Sequence, residues 1–172
     1  MNETTHASEN GATHMHKISP CLWFQGGNAE EAANFYVSTF RNARIKDIMR
    51  STESGPKPVG SVIAVMFELE GEDFLALNGN PEFAFTPAVS MFIKCESQEE
   101  VDHYWDKLMD GGRSLACGWL TDRFGVTWQV APTRLLGMLQ DPDPVKADRT
   151  MKAMQGMIKL DLPALERAYN GE

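Results

Sequence analysis

A small group of side chains in this 172-residue chain has types and spacing that suit chemistry, and it sits on short apolar runs. In Cys21-Leu-Trp-Phe-Gln, the two-residue alternation of a strand sends Cys21, Trp23 and Gln25 to one face. Ser90-Met-Phe-Ile-Lys sends Ser90, Phe92 and Lys94 to the corresponding face. Leu75 and Gln129 hold matching places in two later runs. If the two halves of the chain face each other, Cys21, Leu75, Ser90 and Gln129 meet from four strands. A hard divalent cation needs oxygen or imidazole donors, which this set supplies poorly. It suits a small organic molecule held by a few polar groups among aromatic walls. The expected ligand contacts are therefore Cys21, Trp23, Ser90, Phe92, Trp119 and Gln129, with no metal ligand and no cofactor. Trp128 is a further wall candidate.

Other chemistry is thinly represented. Glu68, Asp73 and Asp122 could serve as a general base if desolvated. Asp122 precedes Arg-Phe-Gly-Val, where capping a turn explains it better. Cys21, Cys95 and Cys117 are an odd number without a C-x-x-C pair, so neither a disulfide framework nor a zinc ribbon is expected. Each lies in or beside an apolar stretch, where a free cysteine acts as a small hydrophobe. The motifs H-E-x-x-H, G-x-x-x-x-G-K-[ST] and G-x-S-x-G are missing. Gly26-Gly27 opens no longer glycine pattern and fits a tight strand-to-helix turn.

The elements that position these residues come in two copies. Asn28-Ala-Glu-Glu-Ala-Ala-Asn-Phe-Tyr aligns with Ser97-Gln-Glu-Glu-Val-Asp-His-Tyr-Trp, 69 residues on. Both begin with a capping residue followed by glutamate three positions later, Glu31 and Glu100, the capping-box pattern. Both continue with apolar residues at helical spacing: Ala32, Phe35, Tyr36, Thr39 and Phe40, then Val101, Tyr104, Trp105, Leu108 and Met109. The offset drops to 54 at Gly71 and Gly125, so the second copy is shorter between its helix and its last strand. Each copy reads strand, helix, then two or three strands. Expected elements are 18–25, 29–40, 44–50, 60–69 and 73–78, then 88–95, 98–110, 113–120 and 126–131. Such a unit leaves one sheet face bare, so two copies should pack to cover or share it. The fold class is α+β, with paired βαβββ modules and C-terminal helices. Residues 1–16 read as a disordered leader, native or left over from cloning, and 17–131 as the paired domain, with module one at 17–80 and module two at 87–131. Residues 132–172 read as a helical extension of that domain, with a methionine-rich stripe of Ala147, Met151, Met154 and Ile158. The proline-bearing loop from Ser51 to Gly60 is placed to act as a lid, or is simply mobile.

Acidic residues outnumber basic ones, 24 against 16, for a net charge of −8. That balance argues against nucleic acid or an anionic membrane as a partner. No apolar run approaches the roughly 20 residues of a membrane span, and no secretory signal is expected at the N-terminus. A cytoplasmic location follows as the expectation.

Several stretches carry a family resemblance. Ile18-Ser-Pro-Cys-Leu-Trp-Phe, Glu30-Glu-Ala-Ala-Asn-Phe-Tyr, Phe74-Leu-Ala-Leu-Asn-Gly, Cys117-Gly-Trp-Leu-Thr-Asp-Arg-Phe-Gly-Val-Thr-Trp-Gln and Asp141-Pro-Asp-Pro resemble the PhnB-like branch of the vicinal oxygen chelate superfamily. That superfamily includes glyoxalase I, extradiol dioxygenases, and the bleomycin and fosfomycin resistance proteins. The resemblance implies a homodimer with a cleft in each paired module, where metal-dependent members hold a divalent ion on His and Glu side chains. Those ligand positions fall at or next to Cys21, Leu75, Ser90 and Gln129, of which only Gln129, and less readily Cys21, could coordinate an ion. The expectation is a protein that binds a small organic molecule without a standard metal site. The alternatives are a metal-dependent lyase, isomerase or dioxygenase with atypical ligands, and the demethylubiquinone 3-methyltransferase after which the branch is often labelled.

Overall fold

The computed structural model describes residues 15–172. The expected leader falls largely outside the described residues. The His16 backbone N–H donates to Asp73 at 2.6 Å. The chain divides after Glu82 into two compact units.

The first unit runs β1 (Cys21–Phe24), α1 (Ala29–Thr39), β2 (Ala43–Arg50), β3 (Val62–Leu69) and β4 (Glu72–Asn78). Its sheet has the order β1-β4-β3-β2, with β1 and β4 parallel and the rest antiparallel. Ala29, Ala32, Ala33, Tyr36 and Thr39 form the buried side of α1, close to the expected stripe, and Tyr36 stacks on Phe67 and Phe67 on Phe74. The expected capping box at Asn28 does not form. Asn28 makes no side-chain cap; Asn78, at the end of β4, accepts from Ala29 N–H at 2.9 Å instead. The Ser51–Gly60 loop is pinned at several points. Ser51 Oγ donates to the Lys57 carbonyl at 2.7 Å, and Lys57 Nζ donates to the Asn78 carbonyl at 2.7 Å.

The second unit repeats the topology with β5 (Met91–Cys95), α2 (Gln98–Met109), β6 (Arg113–Ser114), β7 (Trp119–Thr121) and β8 (Thr127–Pro132), ordered β5-β8-β7-β6. Val101, Tyr104, Trp105 and Leu108 are the buried side of α2. Here the cap is local: Ser97 Oγ accepts from Glu100 N–H at 3.3 Å, and the Glu100 carboxylate accepts from the Glu96 amide at 2.9 Å. The single strand expected over 113–120 is two short strands, because Cys117 and Gly118 adopt positive φ (59° and 80°) and interrupt it. Cys117 N–H and Gly118 N–H donate to the carbonyls of Met157 and Ile158, so the C-terminal segment satisfies the backbone of this break.

That segment comprises α3 (Thr133–Leu139), α4 (Pro144–Gln155) and α5 (Leu162–Asn170). Asp143 and Asp161 cap α4 and α5, each followed by a proline in the first turn. Leu135, Met138, Leu160 and Leu165 close a small core with Ala131 of β8. The expected α4 stripe is displaced: Met151 and Ile158 are exposed, whereas Thr150 is buried, its hydroxyl bonded back to the Lys146 carbonyl. Ala153, Met154 and Met157 make the contact with the core. Among the described residues, no helix is long and apolar enough to cross a membrane.

Candidate functional site

In the second unit, β5, β8 and β7 set three of the expected ligand contacts in one row. Phe92 is in register with Gln129, and Gln129 with Trp119. The alternate residues Ile93, Trp128, Val130 and Leu120 are buried on the side where α2 packs on β7 and β8. The row therefore occupies the opposite face of the sheet. Ser90 joins it: Gln129 Nε2 donates to Ser90 Oγ at 2.8 Å. The repeat offset places Ser90 opposite Gln129, whereas the strand partner is Phe92, two residues on and so on the same face. Phe92 is 44% exposed; Trp119, Gln129 and Ser90 are half-buried.

Cys21 and Trp23 share a face of β1 in the first unit, in register with Leu75 and Leu77. The Trp23 ring is fixed: Nε1 donates to the Asn80 carbonyl at 2.9 Å, and a Cβ on Gly79 would fall 1.9 Å from its Cε2. Cys21 is exposed rather than a buried hydrophobe, and Cys95 is buried. Desolvation around the sulfur raises the Cys21 thiol pKa, which disfavours the thiolate that would ligate a metal or attack a substrate. Burial, with Glu100 and Glu96 nearby, pushes the Cys95 thiol up to about 12.

The remaining candidates have structural roles. Trp128 is buried and is not a wall of the row; its Nε1 donates to Asp122 Oδ2 at 2.8 Å. Asp122 Oδ1 accepts from Phe124 and Val126 N–H, as a turn cap does. Asp73 is buried and pairs with Lys46 Nζ at 2.7 Å. That hydrogen bond, outweighing the opposing cost of burial, holds its carboxyl below the usual range. Glu68 pairs with Arg44 at 3.0 Å. A groove of about 420 Å³ beside α2 and α5 is lined by Gln98, Asp102, Lys159 and Arg167 among others. Its groups engage one another: Lys159 pairs with Asp102, and Gln98 bonds the backbone at Leu160 and Leu162.

Two residues of the site face escape the sequence reading. Thr121 and Thr127 are in register with each other, two residues from Trp119 and Gln129 on the same face. They are only 7% and 2% exposed, and their hydroxyls have no hydrogen-bond partner among the described residues. Strand alternation from Gln129 was the signal available for finding them.

A divalent metal fits this chain poorly. Of the four positions the resemblance points to, Leu75 has no donor atom, Ser90 is bonded by the Gln129 amide, Gln129 offers a neutral amide oxygen, and Cys21 is a lone thiol whose pKa desolvation raises. Among the described residues, no group of three or more His, Cys, Asp or Glu side chains is arranged to hold an ion.

Two units of strand–helix–three strands, each with its parallel pair closing a mixed sheet, define the vicinal oxygen chelate fold. The family model described as 3-demethylubiquinone-9 3-methyltransferase matches residues 16–131. The chain belongs to that family, the PhnB-like branch of the superfamily. The PhnB protein of Bacillus cereus is 40% identical over 68% of this chain and 99% of its own length, with a TM-score of 0.62. A Pseudomonas aeruginosa protein shares the fold at 21% identity and a TM-score of 0.57, over 68% of this chain and 97% of its own. No curated protein matches the chain. The family match ends at Ala131, so α3 to α5 lie outside it. The methyl donor that the family name implies, S-adenosylmethionine, also finds a poor fit. At the first strand–helix turn the Ala29 amide is already engaged by Asn78, and no glycine-rich pattern follows Gly27.

Proposed function

We propose that this protein binds a small, partly aromatic organic molecule on the face of its second sheet away from α2, without a divalent ion at the centre. The observation that supports it is the row Phe92–Gln129–Trp119 with Ser90 bonded to Gln129. Two partly accessible aromatic rings flank an amide there. Because Gln129 Nε2 is held by Ser90, its Oε1 is left to accept from a ligand. A flat ring stacked beside Trp119 or Phe92 gains apolar burial and offset aromatic contact, and the amide fixes its orientation. Cys21 and Trp23 offer a more apolar surface of the same kind on the first unit's own sheet. The setting we propose is a cytoplasmic homodimer; the unpaired cysteines accord with a reducing compartment.

The test is a thermal-shift screen of aromatic metabolites and antibiotics, with native mass spectrometry of the purified protein. The expected result is an aromatic hit whose stabilisation is lost in Trp119→Ala and weakened in Gln129→Ala. Hits that survive both substitutions, or bound metal at one ion per chain, would overturn the reading.

A further inference from the structure

The site face continues beyond the row that the proposed function uses, and what lies there narrows the ligand. One strand step from Trp119 and Gln129 stand Thr121 and Thr127, both more than nine-tenths buried, with hydroxyls that have no partner among the described residues. Burying a hydroxyl without a partner is costly, and native chains rarely leave two side by side. The next strand extends the same row. Arg113 of β6 is in register with Thr121, which puts it on that face beside the hydroxyl pair. Arg113 is exposed and has no ion pair or hydrogen bond among the described residues. Two unpartnered donors and an unpaired guanidinium, aligned across three adjacent strands, form a receptor for an oxyanion. In a chain of net charge −8, such a cluster is what would make an anion welcome locally.

From these placements we infer that the ligand is an aryl carboxylate, its ring on the Phe92–Gln129–Trp119 row and its carboxylate on Thr121, Thr127 and Arg113. This rests on the aromatic-ligand reading and adds its polar end. The two rows lie about 7 Å apart, two residues of strand, so a second ring or short spacer separates the stacked ring from the acid. Lys94 is the natural competitor. It stands on the same face one step to the other side, but its partner is Ala131, which packs in the C-terminal core and offers no hydroxyl.

The experiment compares biphenyl, 4-phenylphenol and biphenyl-4-carboxylate by calorimetry on the full chain and on Arg113→Gln, Thr121→Val/Thr127→Val and Lys94→Gln. The carboxylate should bind wild type at least about tenfold more tightly than the other two, the scale of a charge-assisted pair. Arg113→Gln and the double valine variant should each reduce that preference severalfold while leaving biphenyl unchanged, and Lys94→Gln should keep it. The valine variant should melt no lower than wild type, since it removes hydroxyls that have no partner. Equal binding of all three probes to wild type would overturn the carboxylate assignment and leave the aromatic surface standing. Loss of the preference in Lys94→Gln but not in Arg113→Gln would overturn it too. If none of the probes binds wild type, the aromatic-ligand reading falls with it.

Discussion

The two units share one topology and differ in what they do with it. In the first, the sheet face away from the helix carries Cys21, Trp23, Leu75, Leu77 and Met66, and its one indole is held by the Asn80 carbonyl. In the second, the equivalent face carries a bonded Ser90–Gln129 pair, two partly accessible aromatic rings and two hydroxyls without a partner among the described residues. The frames differ as well. The first unit has two eight-residue strands joined by a pinned loop; the second has strands of two and three residues, whose backbone is completed by the C-terminal segment. A repeated frame thus leaves side-chain chemistry free to differ, because the frame depends on the helix-facing residues and the chemistry on the other face.

Breaking the first unit's buried ion pair should have the largest effect. Asp73→Ala removes the buried carboxylate that pairs with Lys46, whose side chain is 13% exposed, and should cost about 3–5 kcal/mol by chemical denaturation. The pair also sets an acid limit. The folded Asp73 pKa is depressed below its unfolded value of about 4. Its contribution is therefore complete above about pH 4 and is lost as pH falls through the lower folded value. Acid unfolding followed by circular dichroism should show that loss in wild type and not in the alanine variant. In the second unit, Leu160→Ala should cost about 2–5 kcal/mol, with hydrogen exchange rising first at Cys117 and Gly118, which the C-terminal segment pairs.

Smaller effects separate the two helix starts. Asn78→Ala and Ser97→Ala should each cost about 1 kcal/mol, whereas Asn28→Ala should change stability by less than about 0.5 kcal/mol, since Asn28 caps nothing. A large loss in Asn28→Ala would restore the symmetric capping expected from the repeat. Smallest is Gly79→Ala, which drives the Trp23 ring from its seat and should red-shift its emission while leaving that of Trp119 unchanged.

The repeat was legible because helical and strand periodicities are local, and both helices bury nearly the stripe that their spacing requires. Four of the six expected contacts meet in the second unit for the same reason: a period of two fixes the face of Ser90, Phe92, Trp119 and Gln129 wherever the strands pair. The same period of two excludes Trp128 as a wall residue. Its parity opposes that of Gln129, and only the Asp122 bond shows how its indole is satisfied in the core.

What the chain determined by itself is therefore the order of elements, the aspartate caps of α4 and α5, and the side of each strand on which a residue stands, all set by neighbours a few positions away. Tertiary structure alone decided that Asn78 caps a helix 49 residues earlier, that residues 157 and 158 complete the strand break at 117 and 118, and that Arg113 lines up with two unpartnered threonines. Those outcomes depend on strand register and on partners far apart in the chain, which no local period encodes.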